Sequence, residues 1–214
     1  VSESAGVNLV QDAMTNTIFD FNLDGYHDIY FTNTFPSGNH LLVYNPEDQI
    51  YEDHFPNSGA ESYLFNWGAI PIDYDNDKNI DLAVSGGAGC GTGCNNMLFK
   101  NNGELFTQTP DDFNQETAVS YGVAKGDFNS DGFYDLTFLN EAPYNTEVYI
   151  NDANNKNWLK VNFSGSCTNF FGVGVQYEYF INGVTTVNTV FAGSNFLSQD
   201  SYTHILGMRN DTSI

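Results

Sequence analysis

Three nine-residue segments carry oxygen-bearing side chains at a spacing suited to holding a cation. They read Asp20-Phe-Asn-Leu-Asp-Gly-Tyr-His-Asp28, Asp73-Tyr-Asp-Asn-Asp-Lys-Asn-Ile-Asp81 and Asp127-Phe-Asn-Ser-Asp-Gly-Phe-Tyr-Asp135. Positions 1, 3, 5 and 9 hold only Asp or Asn, the short oxygen donors. In a tight loop these side chains can converge on one point, and the backbone carbonyl of position 7 can join them. That is the shell calcium takes, six to eight oxygens at about 2.3–2.6 Å in flexible geometry. So many carboxylates within one loop would repel one another without a cation. The EF-hand shares the opening of this pattern but needs a bidentate Glu at position 12 and flanking helices. Position 12 here is Phe31, Val84 or Phe138, and the flanks read as strands, so the EF-hand is excluded. Loop two departs from the others, with Lys78 for Gly at position 6 and Asp75 where they have Asn22 and Asn129. The extra carboxylate should tighten binding and the lysine should strain the turn, which leaves the sign of the net effect open.

The elements that must position these loops repeat with them. The loop starts are 53 and 54 residues apart. Each loop runs into an alternating apolar stretch: Ile29–Phe31, Leu82–Val84 and Leu136–Phe138. A second strand-like segment follows each (His40–Tyr44, Asn96–Lys100, Thr146–Ile150), and a third precedes it (Thr15–Ile18, Trp67–Ile70, Tyr121–Ala124). Gly, Asn and Pro clusters separate them, and no helical periodicity persists. Several short strands in such a period match one four-stranded propeller blade. Beyond the repeats, Val173–Ile181 alternates, Asn182-Gly183 is a type I′ turn signal, and Val184–Phe191 returns as the second arm of a hairpin.

Composition narrows the partners. The 214 residues carry 27 acidic against 6 basic side chains, a net charge of −21. A nucleic-acid binder needs cations to neutralise phosphates, and an anionic membrane surface would repel this chain for the same reason. The 18 Phe, 13 Tyr and 2 Trp argue for a packed core rather than disorder. No apolar run reaches the ~18 residues of a membrane span. The chain begins at Val1, as a processed or partial chain would, so the lack of a signal peptide says nothing about secretion. Cys90 and Cys94 flank a Gly-Thr-Gly loop that favours a small disulfide in an oxidising compartment, with two free thiols as the alternative. Cys167 is left unpaired or pairs with another chain. Asn162 and Asn210 begin glycosylation triplets. The four histidines are scattered, no nucleophile elbow or phosphate loop is present, and aspartates committed to calcium are poorly placed for acid–base work. The Tyr63–Trp67 segment could stack on sugars, although core packing explains it as well.

The loops resemble those of the FG-GAP/VCBS repeat family, and integrin α-subunit propellers use related ones. The resemblance covers residues 1–150 and implies ligation through the side chains of positions 1, 3, 5 and 9 and the carbonyl of position 7. Carried over, site one is Asp20, Asn22, Asp24, the Tyr26 carbonyl and Asp28. Site two is Asp73, Asp75, Asp77, the Asn79 carbonyl and Asp81. Site three is Asp127, Asn129, Asp131, the Phe133 carbonyl and Asp135. The tail resembles the ASPIC/UnbV domain through Asn157-Trp-Leu-Lys-Val-Asn-Phe-Ser-Gly165, Gly172–Val175, Gly193–Gln199 and Leu206-Gly207. The family's closing Trp-Pro strand is not found before Ile214, so truncation, disorder or supply by another chain stays open. This pairing is similar to cartilage-acidic-protein-like and related secreted microbial proteins. The expectation is therefore an all-β chain: a partial β-propeller of three blades over residues 1–154, then a small β-sandwich or β-hairpin domain over 155–214. It implies about three Ca²⁺ ions and a secreted or cell-surface, non-enzymatic structural or adhesion module. The partners would be an extracellular protein, a glycan or copies of itself. Three blades do not close a propeller, since four to eight are usual, so either more blades lie outside this chain or open edges pair with neighbours, the second giving a polymer or filament. The alternative is a polysaccharide-binding or polysaccharide-cleaving propeller protein.

Overall fold

The alternating segments singled out in the sequence are strands, and strands adjacent in the first three sheets pair antiparallel in chain order. A computed structural model describes residues 3–9, 12–87, 95–109, 113, 118–153, 155–181 and 183–213. The Cys90–Cys94 pairing and Asn182 of the hairpin turn lie outside these residues. Sheet one comprises β1 (Asn16–Phe19), β2 (Asp28–Phe31), β3 (His40–Asn45) and β4 (Ile50–Asp53). Sheet two repeats it with β5 (Asn66–Ile72), β6 (Asp81–Gly86), β7 (Met97–Asn101) and β8 (Phe106–Gln108). Sheet three has β9 (Ser120–Gly126), β10 (Asp135–Asn140) and β11 (Glu147–Tyr149), and no fourth strand among the described residues. The next strand, β12 (Asn157–Val161), pairs instead with β15 (His204–Arg209), while β13 (Gln176–Ile181) and β14 (Val184–Thr189) form the expected hairpin. The chain is all-β, built of small antiparallel sheets, none of which closes on itself.

Sheet two is sandwiched. Every residue of β6 is buried, which is why its sequence reads as a continuous apolar and small run rather than a strict alternation. One core cluster, with Phe19, Tyr30, Leu41, Val84, Phe99 and Phe106, lies between sheets one and two. A second, with Ile70, Ile72, Leu98, Val123, Leu136 and Phe138, lies between sheets two and three. Each large side chain so buried contributes roughly 1.5–3 kcal/mol, and it is this apolar contact that holds successive repeats together. Of the leading strands, β5 lies against both β1 and β9.

The tail strands sit on the three loops. On loop one, Thr189 of β14 meets His27 Nε2 at 3.3 Å, and the Val187 backbone bonds to Asp20. On loop two, β15 lies so close at Gly207 that a Cβ there would stand 2.1 Å from Asp73 Oδ2 and 2.6 Å from Asn76 Cα. On loop three, the Trp158 ring of β12 fills the space that a side chain at Gly132 would need.

Candidate metal centres

The three loops share one hydrogen-bond scaffold. The position-1 carboxylate accepts from the N–H groups of positions 5 and 6: Asp24 and Gly25 on Asp20, Asp77 and Lys78 on Asp73, Asp131 and Gly132 on Asp127, all at 2.9–3.0 Å. The position-5 carboxylate accepts from the N–H of position 7, which is Tyr26, Asn79 or Phe133. The position-9 carboxylate, on the first residue of β2, β6 or β10, accepts from the N–H of position 2: Phe21 on Asp28, Tyr74 on Asp81 and Phe128 on Asp135. It also accepts from a residue at or just past the end of the following strand: Tyr44 on Asp28, Asn101 on Asp81 and Asn151 on Asp135. Short polar side chains at this spacing hold a loop by capturing its own N–H groups, so each carboxylate is oriented before any ion is considered.

Two of those strand-end residues also tie repeats together. Asn101 Nδ2 donates to Phe21 O of the preceding loop and Ile80 O of its own. Asn151 Nδ2 does the same with Tyr74 O and Tyr134 O. The first repeat has Tyr44 at this place, and its ring packs on Tyr26 and Tyr51.

The turn chemistry explains position 6. Gly25 and Gly132 have φ of +89° and +87°, and Lys78 adopts +79°. A non-glycine residue there costs roughly 1–2 kcal/mol. Lys78 is nevertheless buried, with its ammonium 2.5 Å from Asp211 Oδ2 in the tail. The expected strain at Lys78 is present, and the tail supplies a contact that offsets it.

The loops differ in surroundings. Loop two is nearly all buried beneath β15, whereas Asn22 and Asp24 of loop one and Asn129 of loop three are exposed. Among the described residues, only loop two brings three acidic side chains together: Asp73, Asp75 and Asp81 offer oxygens within 4.8 Å of one another. In loops one and three the position-3 Asn donates to the position-5 carboxylate instead, Asn22 to Asp24 at 2.9 Å and Asn129 to Asp131 at 2.8 Å.

Burial sets the protonation of the carboxyls. It pushes Asp28 up to about 7 and Asp20 up to about 6, although backbone N–H groups oppose the rise. In loop two it pushes Asp73 up to about 7 and Asp81 up to about 9. Burial works in the same direction on Asp75, but Lys100 and Lys156 outweigh it and hold that carboxyl below its ordinary value. Lys160 does the same against burial at Asp127. A raised carboxyl marks negative charge kept out of water without enough positive charge beside it.

The donor set fits a hard cation. All the side chains that converge are oxygen donors, and two oxygens on opposite sides of a calcium ion stand about 4.8 Å apart. Nitrogen and sulfur donors are turned elsewhere: His27 is on Thr189, and Cys167 is an exposed free thiol. Asp73, Asp75 and Asp81 would hold the ion in loop two; in loops one and three the carboxylates are not gathered in this way among the described residues, although the same backbone bonds orient them. Sequence spacing alone did not reveal Lys100, Lys156, Lys160 and Gly207, which also border the loops. The available signal was slight: Lys100 stands one residue before Asn101, where the other repeats have Val43 and Ile150. Compared with known proteins, the sequence matches no family model and no curated relative.

Proposed function

We propose that the chain is an extracellular, non-enzymatic structural or adhesion module, a partial β-propeller whose three loops bind about three calcium ions. The observation that carries this reading is the shared scaffold: three loops with the same carboxylate–amide bonds, each rooted in the first residue of a strand and tied to the next strand's end. Calcium in such loops acts as a staple, because binding to the folded state alone adds to folding stability. One ion at a hundred times its dissociation constant contributes about 2.7 kcal/mol, so its removal lowers Tm by roughly 5–10 °C in a chain of this size. The test is a thermal melt in calcium and in excess EDTA, with metal removal verified by elemental analysis. An unchanged Tm rejects the reading.

The module assembles with copies of itself. Sheet three supports this, since β11 has no strand on its outer side among the described residues, and Val148 and Ile150 are 57% and 51% exposed. Beside that edge lies a cleft of about 310 Å³ lined by Tyr74, Leu98, Phe113, Tyr134 and Tyr149. In sheet two, β8 covers the matching edge and packs Phe106 on Phe21, the counterpart of Tyr74. A strand from a second copy would complete sheet three in the same way, and a head-to-tail contact of this kind that does not close gives a filament. The polysaccharide alternative has less support: the Trp67 ring is engaged with Phe65, Tyr121 and Phe196, leaving Tyr63 exposed. Both glycosylation triplets begin at exposed residues, Asn162 and Asn210, as a secreted protein could use.

A further inference from the structure

The six cationic side chains of the chain are distributed one-sidedly. Lys100 Nζ lies 2.5 Å from Asp75 Oδ2 and 3.5 Å from Asp77 Oδ2, and Lys156 Nζ lies 3.1 and 4.0 Å from the same two oxygens. Lys160 pairs with Asp127 of loop three. Lys78 pairs with Asp211, Arg209 Nε donates to Asp77 O, and the partly buried Lys125 donates to Pro71 O. Among the described residues no Lys or Arg pairs with a carboxylate of loop one.

We propose that loop two is a self-neutralised cation site: Lys100 and Lys156 are its built-in counter-ions, and it holds calcium more weakly than loop one although it carries one carboxylate more. The inference rests on the calcium-loop reading above. Carboxylates as close as those of Asp73, Asp75 and Asp81 repel strongly in a buried setting, and the two ammonium groups relieve that repulsion without a divalent ion. A calcium ion ligated by Oδ2 of Asp75 would stand within about 6 Å of both ammonium groups, a ligand distance plus an ion-pair distance. Its repulsion from them outweighs the benefit of a loop already in shape. Loop one has three carboxylates, Asp20, Asp24 and Asp28, and among the described residues no ion pair brings an ammonium group to any of them. Counting carboxylates along the sequence ranks loop two first; adding the cations that the fold brings to it reverses the order.

The test is calcium titration of the full chain against a competing indicator, with bound metal counted by equilibrium dialysis. The tightest ion is expected to be lost in Asp24→Asn and kept in Asp77→Asn. Lys100→Val, which places at that position the residue type of the first repeat, combined with Lys156→Gln, should tighten a weaker ion by about tenfold or more and leave the tightest one unchanged. Lys156→Gln alone, on a half-exposed side chain, should give a smaller shift in the same direction, and it decides the matter if the double variant does not fold. If the lysine variants change no calcium affinity, or if Asp77→Asn removes the tightest ion, the inference fails while the calcium-loop reading stands. If the unaltered chain binds no calcium, both fail.

Discussion

The ninth aspartate of each loop knots it to the following strand: Asp28, Asp81 and Asp135 each accept an N–H bond from position 2 and another from near the end of the next strand. In loop two Asp81 also gathers with Asp73 and Asp75. Ligation of a cation needs these carboxyls in the charged form. Asp20 near 6, Asp28 and Asp73 near 7 and Asp81 near 9 all lie above the unfolded value of 3.8. The cation-free fold therefore holds protons that the unfolded chain releases, and these groups contribute stability that is fully present below pH 3.8 and is lost as pH rises from there through about 6 to about 9. Calcium needs the ionised form, so its stabilising effect grows over the same range. The difference in Tm between calcium-loaded and EDTA-treated protein should be larger at pH 8 than at pH 5. A difference independent of pH would mean that these carboxyls do not ligate.

Among the elements, β12 and β15 of the tail act as covers for loops three and two. Gly207 allows β15 to lie on Asp73 and Asn76 with no side chain between them. Gly207→Ala places a methyl against backbone and carboxylate atoms that have little room to move. It should destabilise the fold by about 1–3 kcal/mol, the usual cost of overpacking, as read from urea unfolding monitored by tryptophan fluorescence. Because the clash is with Asp73 itself, calcium binding at loop two should weaken as well. Wild-type stability in this variant would show that β15 does not rest on the loop.

For the whole molecule, the outer edge of sheet three, which has no partner strand among the described residues, distinguishes the third repeat from the other two. Exposed edge strands with apolar side chains template pairing with another chain, and natural proteins block it with lysine. Val148→Lys on β11 should shift the particle size measured by light scattering toward the monomer while leaving the melt in calcium nearly unchanged, since Val148 is 57% exposed. If the variant and the unaltered chain are the same size, β11 is not the assembly edge.

Local information settled much of this chain. The three loops, their shared hydrogen-bond scaffold, the strands behind them and the exclusion of the EF-hand were legible, because each depends on side chains and backbone groups within one loop or on a period of two along a strand. The hairpin of β13 and β14 was legible for the same reason. That sheet three has no fourth strand among the described residues was not, because β12 pairs with β15, a choice between partners that alternation cannot make. Nor was the ranking of the loops. The ammonium groups on loop two come from Lys100 in its own sheet and from Lys156 in the tail segment, and the position of each in sequence says nothing of the carboxylate it meets. Sequence spacing determined where oxygen donors recur along the chain. The charge each site already holds is a sum over side chains from distant segments, and only the tertiary structure decided it.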